Sequence, residues 1–319
     1  TKPMSVAAVL ATMQFCSHYF YVGSADVQGR DRDGIGIVLD GKEMSMYQSN
    51  PWEVLAVSAR QEIALLFNHS RYTDAYEKTV TLSKVTDNDM KPFYKALADM
   101  IEGYAAWDRF DCKNAQRLLN KAFQELKTYS AGRDDPIRST LTLLEKHCQF
   151  IQDLQQPTAN GSQLDFLDLL ANADRRAGNA KKYDDAVARL YSALEGLARN
   201  RLKYEYHIQN HKVAPHEIPA NEREEFMRQF SDPNTPAEPL RLPLEASFLL
   251  LAALKDELGL KYKEKEEDLK RVLFARNQSR LAHGETPVKQ ETFENLRKIL
   301  VLFSGVDEQE LPVFPELKL

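Results

Sequence analysis

The stretch Ala275-Arg276-Asn277-Gln278-Ser279-Arg280-Leu281-Ala282-His283-Gly284 lies near the C-terminus of a 319-residue chain and sets a permanent cation and an imidazole seven positions apart. Upstream, Leu269, Val272 and Leu273 recur among Lys and Glu residues between Tyr262 and Phe274, which predicts a helix, and Gly284 and Pro287 supply its stop. On one continuous helix, seven residues fall about 20° short of two turns, so Arg276 and His283 would share a face about 10.5 Å apart.

That pair suits RNA cleavage by transesterification. The ribose 2′-hydroxyl is a built-in nucleophile that needs only deprotonation, charge relief and protonation of the leaving oxygen. A histidine of near-neutral pKa moves the proton. An arginine, always charged and bidentate toward phosphate oxygens, stabilises the charge-rich phosphorane without a metal. Asn277 is placed to orient the phosphate or the imidazole. An alternative reading needs no chemistry: His283 caps a helix C-terminus, where its cationic form suits the dipole, and Arg276 is a solvated surface residue.

The string Arg276-Asn277-x5-His283 resembles the Arg-polar-x(4–6)-His signature of HEPN ribonucleases, and with Pro287-Val288 it is similar to the version in CRISPR-associated CARF–HEPN proteins. Two further stretches carry the same resemblance. The run Lys182-Tyr183-Asp184-Asp185-Ala186-Val187-Ala188-Arg189-Leu190-Tyr191-Ser192-Ala193-Leu194-Glu195 looks like the long opening helix of that family's HEPN domain. Thr1-Lys2-Pro3-Met4 looks like the tail of the Gly-Gly-Thr-Lys-x-Met motif of its CARF sensor. The resemblance implies a metal-independent, single-strand-specific endoribonuclease of type III CRISPR defence. It further implies Arg276, Asn277 and His283 as catalytic residues, a cyclic oligoadenylate activator at Thr1, Lys2 and Met4, no cofactor, and a homodimer with a shared active site. Because two glycines precede the Thr-Lys pair in that family, it also implies a sensor domain that lacks its leading part.

Composition bounds the rest. With 43% apolar residues, 319 positions can bury more than one core, so two or three domains are expected. A net charge of −5 argues against a broad electrostatic nucleic-acid surface and leaves room for a local basic cleft. Cys16, Cys112 and Cys148 have no paired spacing, which suits a reducing compartment. No signal peptide and no apolar run of about 20 residues stand out, so a cytoplasmic protein without a membrane span is expected.

Along the chain, a small-residue helix is expected over Ser5–Phe15, and strands over His18–Val22 and Gly34–Leu39, the second buried. A helix opening directly after Thr1 and Lys2 would favour an anionic ligand at its N-terminus, although Lys2 alone is equally a terminal charge. From Pro51 to Pro157, helices are expected over Val54–Asn68, Thr73–Leu82, Asp89–Trp107, Ala115–Tyr129 and Pro136–Leu154. The phrases Arg71-Tyr72-Thr73-Asp74-Ala75, Arg109-Phe110-Asp111-Cys112-Lys113-Asn114-Ala115 and Lys182-Tyr183-Asp184-Asp185-Ala186 join helices in the manner of tetratricopeptide-like hairpins. Trp52, Trp107 and Tyr104 read as core aromatics. Gln155–Gln163 reads as a linker, followed by helices over Asp165–Ala177 and Tyr183–Tyr206. His207–Pro243 is a proline-rich insertion with at most one short helix. Within it His207 and His211 have metal-pair spacing, with His216 and Glu217 nearby, but no cysteine or framing motif completes a site. Buried Leu244–Glu257 and a final helix over Gln290–Phe303 complete a bundle.

The expected architecture is mainly α. It has a CARF-like, Rossmann-type α/β portion over 1–50, a helical connector over 51–160 and a HEPN bundle over 161–319. Two other classes compete: a helical scaffold with a degenerate site, and a toxin-type HEPN nuclease without small-molecule control.

Overall fold

Three helix-to-helix turns repeat one device. Ser70, Phe110 and Lys181 sit at φ 59°, 62° and 49°, the left-handed conformation that ends a helix by reversing the chain. The next residue donates backward, Arg71 N to Leu66 O and Asp111 N to Ala106 O, both at 2.9 Å, and Lys182 N to Arg176 O at 3.0 Å. Four positions further on, Ala75, Ala115 and Ala186 are fully buried, because the second helix needs a small residue where it leaves the turn. These are the three phrases that the sequence presents as hairpins.

The computed structural model describes residues 7, 19–24, 30–31, 37–48, 52–86, 88–133, 135–178, 180–231, 239–277 and 286–319. It contains twelve α-helices among the described residues and divides into two compact units.

The first unit comprises residues 1–105, 117–142 and 316–319. It holds α1 (Trp52–Asn68), α2 (Tyr72–Val85), most of α3 (Lys91–Asp108) and most of α4 (Cys112–Ser130). Phe67, Leu97, Tyr104, Leu119 and Leu126 form its core, and the Phe67 and Tyr104 rings meet edge-on at 5.5 Å. Gly103 permits the close packing, since a Cβ there would lie 2.6 Å from Leu119. The Asn68 amide brackets Leu317, accepting its N–H at 2.8 Å and donating to its carbonyl at 3.1 Å.

Strands β1 (Tyr19–Gly23) and β2 (Met44–Gln48) of this unit pair antiparallel, Tyr19 opposite Gln48 and Gly23 opposite Met44. The first matches expectation; the partner does not. Of the strand expected over Gly34–Leu39, residues 34–36 lie outside the described residues; Ile37 is 77% exposed, and Val38 makes an isolated bridge to Arg30. Residues 37–39 lead into a turn in which Lys42 donates to Leu39 and Gly41 takes φ 77°, and Ile37 and Leu39 are exposed there. The helix expected over Ser5–Phe15 lies outside the described residues except Ala7, as do the side chain of Trp52 and residues Thr1, Lys2 and Met4.

The second unit comprises residues 106–116 and 143–315. Here α5 (Arg138–Leu154) leads through residues 155–158 into α6 (Ala159–Gly178), so the linker expected over Gln155–Gln163 is shorter. Thr158 caps α6 by accepting the Gly161 N–H, and only glycine fits there, because a Cβ would meet the Gln156 carbonyl at 2.1 Å. The central α7 (Tyr183–Glu205) pairs with α6 and buries Leu190, Leu194 and Leu202. The insertion after it carries one α-helix among its described residues, α8 (Arg223–Phe230), and is held by a Val213–Leu240 bridge and by buried Ile208, Ile218 and Phe226.

The helix expected over Leu244–Glu257 divides. It forms α9 (Leu244–Ala253), then Lys255 turns at φ 60°, and Asp256 caps α10 (Glu257–Glu264) by accepting the Leu258 N–H. Phe248 and Tyr262 stack at 4.6 Å across that corner. A second break at Lys265 separates α10 from α11 (Glu266–Asn277), so the helix expected from Tyr262 to Phe274 is two. The last helix, α12 (Gln290–Ser304), ends at Gly305 with φ 64° and packs on α7.

Candidate active site

Arg276 and Asn277 occupy the last turn of α11. Acidic Glu266, Glu267 and Asp268 open this helix, and a cation near its end completes the charge order that the helix dipole favours. Leu269 anchors it with no exposure, and Leu273 packs against the same core. Lys270 is held by Glu266 at 2.6 Å and Glu245 at 3.3 Å, and these hydrogen bonds push its pKa up. Toward the far end the helix turns outward: Phe274 is 65% exposed and Asn277 is exposed. Those two, three residues apart, share a face. His283 lies outside the described residues, so its expected common face with Arg276 does too.

The chain returns at Thr286, and the first turn of α7 receives it. The Val288 N–H donates to Asp184 Oδ2 at 3.1 Å, and Val288 is buried. Tyr183 donates to the Gln290 side chain at 3.0 Å and its ring meets Phe293 at 6.3 Å. Both flanks of the His283 segment are therefore secured, one by Leu269 on α11 and one by Asp184. The other Asp184 oxygen is buried without a hydrogen-bond partner among the described residues. An orphaned buried acceptor costs about 1–3 kcal/mol, so it needs an explanation.

Beneath this turn lies a charged cluster. Asp108, the last residue of α3, accepts from Arg175 Nε at 3.1 Å and Arg176 Nη2 at 2.5 Å, while its carbonyl accepts from Asn172 at 3.0 Å. Asp185 binds Arg189 and lies 3.4 Å from Arg176. Arg175 also stacks on Phe314 at 3.8 Å. Nearby, the Trp107 indole donates to Asp168 at 2.9 Å and packs edge-on against His147 at 5.1 Å. Burial pushes the Asp168 carboxyl up to about 7, against the opposing pull of Arg175. Burial, helped by Arg175, pushes His147 down to about 3.

These two groups act oppositely on stability. The folded state keeps the Asp168 proton that the unfolded chain releases near 3.8, so this contribution is full below that pH and lost by about 7. Neutral His147 favours the fold above about pH 6.5 and loses that advantage as pH falls toward 3. Asp168→Asn keeps an acceptor for Trp107 and cannot ionise. Its stability relative to the parent should therefore be higher at pH 8 than at pH 5 by roughly 2 kcal/mol in urea titrations. A difference independent of pH would contradict the raised carboxyl.

A cleft of about 500 Å³ opens at the opposite end of α7, lined by Phe166, Leu197, Arg201, Tyr204, Lys261 and Phe303. Its cations are internally matched, Arg201 with Asp256 at 2.8 Å and Lys261 with Glu257 at 2.7 Å.

Two stretches of the chain match family models. Residues 55–151 match the family model of the Csm6 6H domain, and residues 159–306, which include Arg276, Asn277 and His283, match that of the Csm6 HEPN domain. The chain belongs to the Csm6 family of type III CRISPR-associated proteins. HEPN domains are generally ribonucleases, and this one is built around α6, α7 and α12 with Arg276 on α11. No curated protein matches the chain. No helix among the described residues is long and apolar enough to cross a membrane. Sequence reasoning passed over Asp184 as a contact to Val288. The only sign was a pair of acids, Asp184-Asp185, in the first turn of a helix, where acids are common for dipole reasons alone.

Proposed function

We propose that this HEPN domain is a metal-independent, single-strand-specific endoribonuclease that cleaves by 2′-hydroxyl transesterification and is switched on by a cyclic oligoadenylate. The match over 159–306, which encloses the Arg276–His283 signature, carries this reading. His283 takes the 2′-hydroxyl proton as the 2′-oxygen attacks phosphorus. Arg276 neutralises the phosphorane, with Asn277 orienting the phosphate, and the 5′-oxygen leaves as the P–O5′ bond breaks, taking the proton back from the imidazolium. The products are a 2′,3′-cyclic phosphate and a 5′-hydroxyl.

Residues 1–50 belong to an α/β sensor, with Thr1, Lys2 and Met4 at the activator; 51–160 connect it to the nuclease domain over 161–319. The setting is cytoplasmic. The nuclease works as a homodimer, because on a single continuous helix its two groups would stand about 10.5 Å apart, too far for both to meet one phosphate. Two copies related by a two-fold axis bring each pair beside its mate's and double the positive charge at the RNA. Phe274, an aromatic left 65% exposed one turn before Asn277, supports burial of this face against a second copy.

The test is an assay on labelled single-stranded RNA in EDTA, with and without cyclic oligoadenylates, followed by end-group analysis. Chelator-resistant, activator-stimulated cutting that leaves a cyclic phosphate is expected. Magnesium-dependent cutting that leaves a 3′-hydroxyl would place the chemistry elsewhere.

A further inference from the structure

Phe110 stands apart from the other left-handed turn residues. That position suits glycine or a short polar residue, and the two sibling hairpins place Ser70 and Lys181 there. This one holds a bulky aromatic at φ 62° with 39% of its surface exposed. An exposed ring on a strained backbone gives the fold little, and such positions cluster where ligands bind.

Phe110 lines a cleft of about 320 Å³ together with Gln156, Asp165 and Asp168 of α6, and Arg199 and Asn200 of α7. All of these residues belong to the second unit. Asp168 is engaged by the Trp107 indole at 2.9 Å. Asp165 is different. It is half-buried and makes no hydrogen bond or ion pair among the described residues; burial raises its pKa, and the only opposing influence is the charge of Arg199. Arg199 is exposed and likewise makes no ion pair among the described residues. An acid and a guanidinium thus line one cleft, close enough to feel each other's charge, without closing into a salt bridge.

A ligand that fits between them needs two adjacent donors on one edge and acceptors on the next. Guanine has this pattern. Its N1–H and N2–H2 groups match the two oxygens of a carboxylate, and O6 and N7 accept from a guanidinium in the commonest specific contact that arginine makes with a base. Adenine, cytosine and uracil lack the paired donors. A zwitterion would answer the two charges and leave the aromatic without a role, whereas any base stacks on an aromatic ring. The volume is at the small end of ligand sites, about 300–1,000 Å³, which suits a single base with its sugar. Ser162 and Asn200 also line the neighbouring 500 Å³ cleft, so the two run together and a chain of nucleotides has room to continue past Tyr204.

We propose that this cleft is a guanine-binding site: Asp165 accepts from N1–H and N2–H2, Arg199 donates to O6 and N7, and Phe110 stacks on the base. None of its residues belongs to the Arg276–His283 signature. A free guanine nucleotide and a guanine in single-stranded RNA present the same chemistry to it.

The test measures binding to the full chain in two arms. Calorimetric titration with GMP, AMP and CMP reads the free nucleotide. Fluorescence anisotropy with short labelled strands of 2′-O-methyl RNA, which has no free nucleophile and is not cut, compares a single guanine among adenines with adenine alone. Guanine should be preferred by roughly 10–100-fold. A preference among the mononucleotides identifies the free nucleotide as ligand, and one confined to the strands identifies RNA. Asp165→Asn, which puts an NH2 group where an acceptor was, and Arg199→Ala should each erase the preference. Phe110→Ala should weaken every base by about 10-fold. Because Arg199 is exposed, its variant decides if Asp165→Asn is destabilised. No guanine preference in either arm overturns the proposal, as does a preference that survives in well-folded Asp165→Asn or in Arg199→Ala. These readouts require no cleavage, so they stand or fall separately from the nuclease assignment.

Discussion

RNA cleavage is expected to fall by about 10²–10³-fold when either Arg276 or His283 is replaced by alanine, the loss typical of removing one transition-state charge partner. Melting temperatures should stay near the parent. Arg276 is in the last turn of α11, beyond the buried Leu269 that anchors the helix, and Phe274 and Asn277 of that turn are exposed. RNA with a 2′-deoxy sugar at the scissile position should be inert to the parent, because the nucleophile is gone. The two variants also test the shared site. Heterodimers of Arg276→Ala and His283→Ala chains would be isolated and assayed beside the parent, whose mass is measured by light scattering. A composite site recovers activity in the mixture if one intact pair assembles across the two-fold axis. A monomeric parent that cuts RNA at full rate on dilution would remove the need for a partner, and parental activity in His283→Ala would end the catalytic assignment.

Asp108→Ala should be the most damaging single change to the stability of the HEPN-containing unit, by about 3–5 kcal/mol. The Asp108 side chain is 7% exposed and answers two arginines. Acceptors are already scarce around it: among the described residues the buried Arg175 Nη2 makes no hydrogen bond, and the buried Arg176 Nε has only a 3.4 Å ion pair with Asp185. Truncation would leave two guanidinium groups enclosed with less negative charge to oppose them, and an uncompensated buried charge costs more than the pair ever gained. The Asp108 carbonyl, at the end of α3, would keep its Asn172 and Arg176 donors, so the helix terminus itself should survive. Urea unfolding at pH 7 measures the loss. Asp108→Asn, which keeps one acceptor oxygen, should be milder. A change below about 1 kcal/mol for Asp108→Ala would mean that the arginines reach other acceptors.

Most of the helical architecture was legible in the chain by itself. Apolar spacing placed α1 to α5, α7 and α12 to within a few residues, and the three hairpin phrases marked left-handed turns at Ser70, Phe110 and Lys181. Such features depend on neighbours within a turn or two, which is the range a sequence displays directly. The family resemblance, which the two domain matches bear out, was legible in short local strings as well. Tertiary structure alone decided the breaks at Lys255 and Lys265; at the first, Gly259 lies so close to the Ala252 backbone that a Cβ would meet its nitrogen at 2.1 Å. It also decided that Ile37 faces water and that β1 pairs with Met44–Gln48, since an apolar triplet beside a turn looks the same whether or not a sheet covers it. The contact of Asp184 with Val288 belongs to the same class. Its partners are distant in sequence, and which acid in a helix's first turn faces solvent and which faces another strand is settled only by how the helices pack.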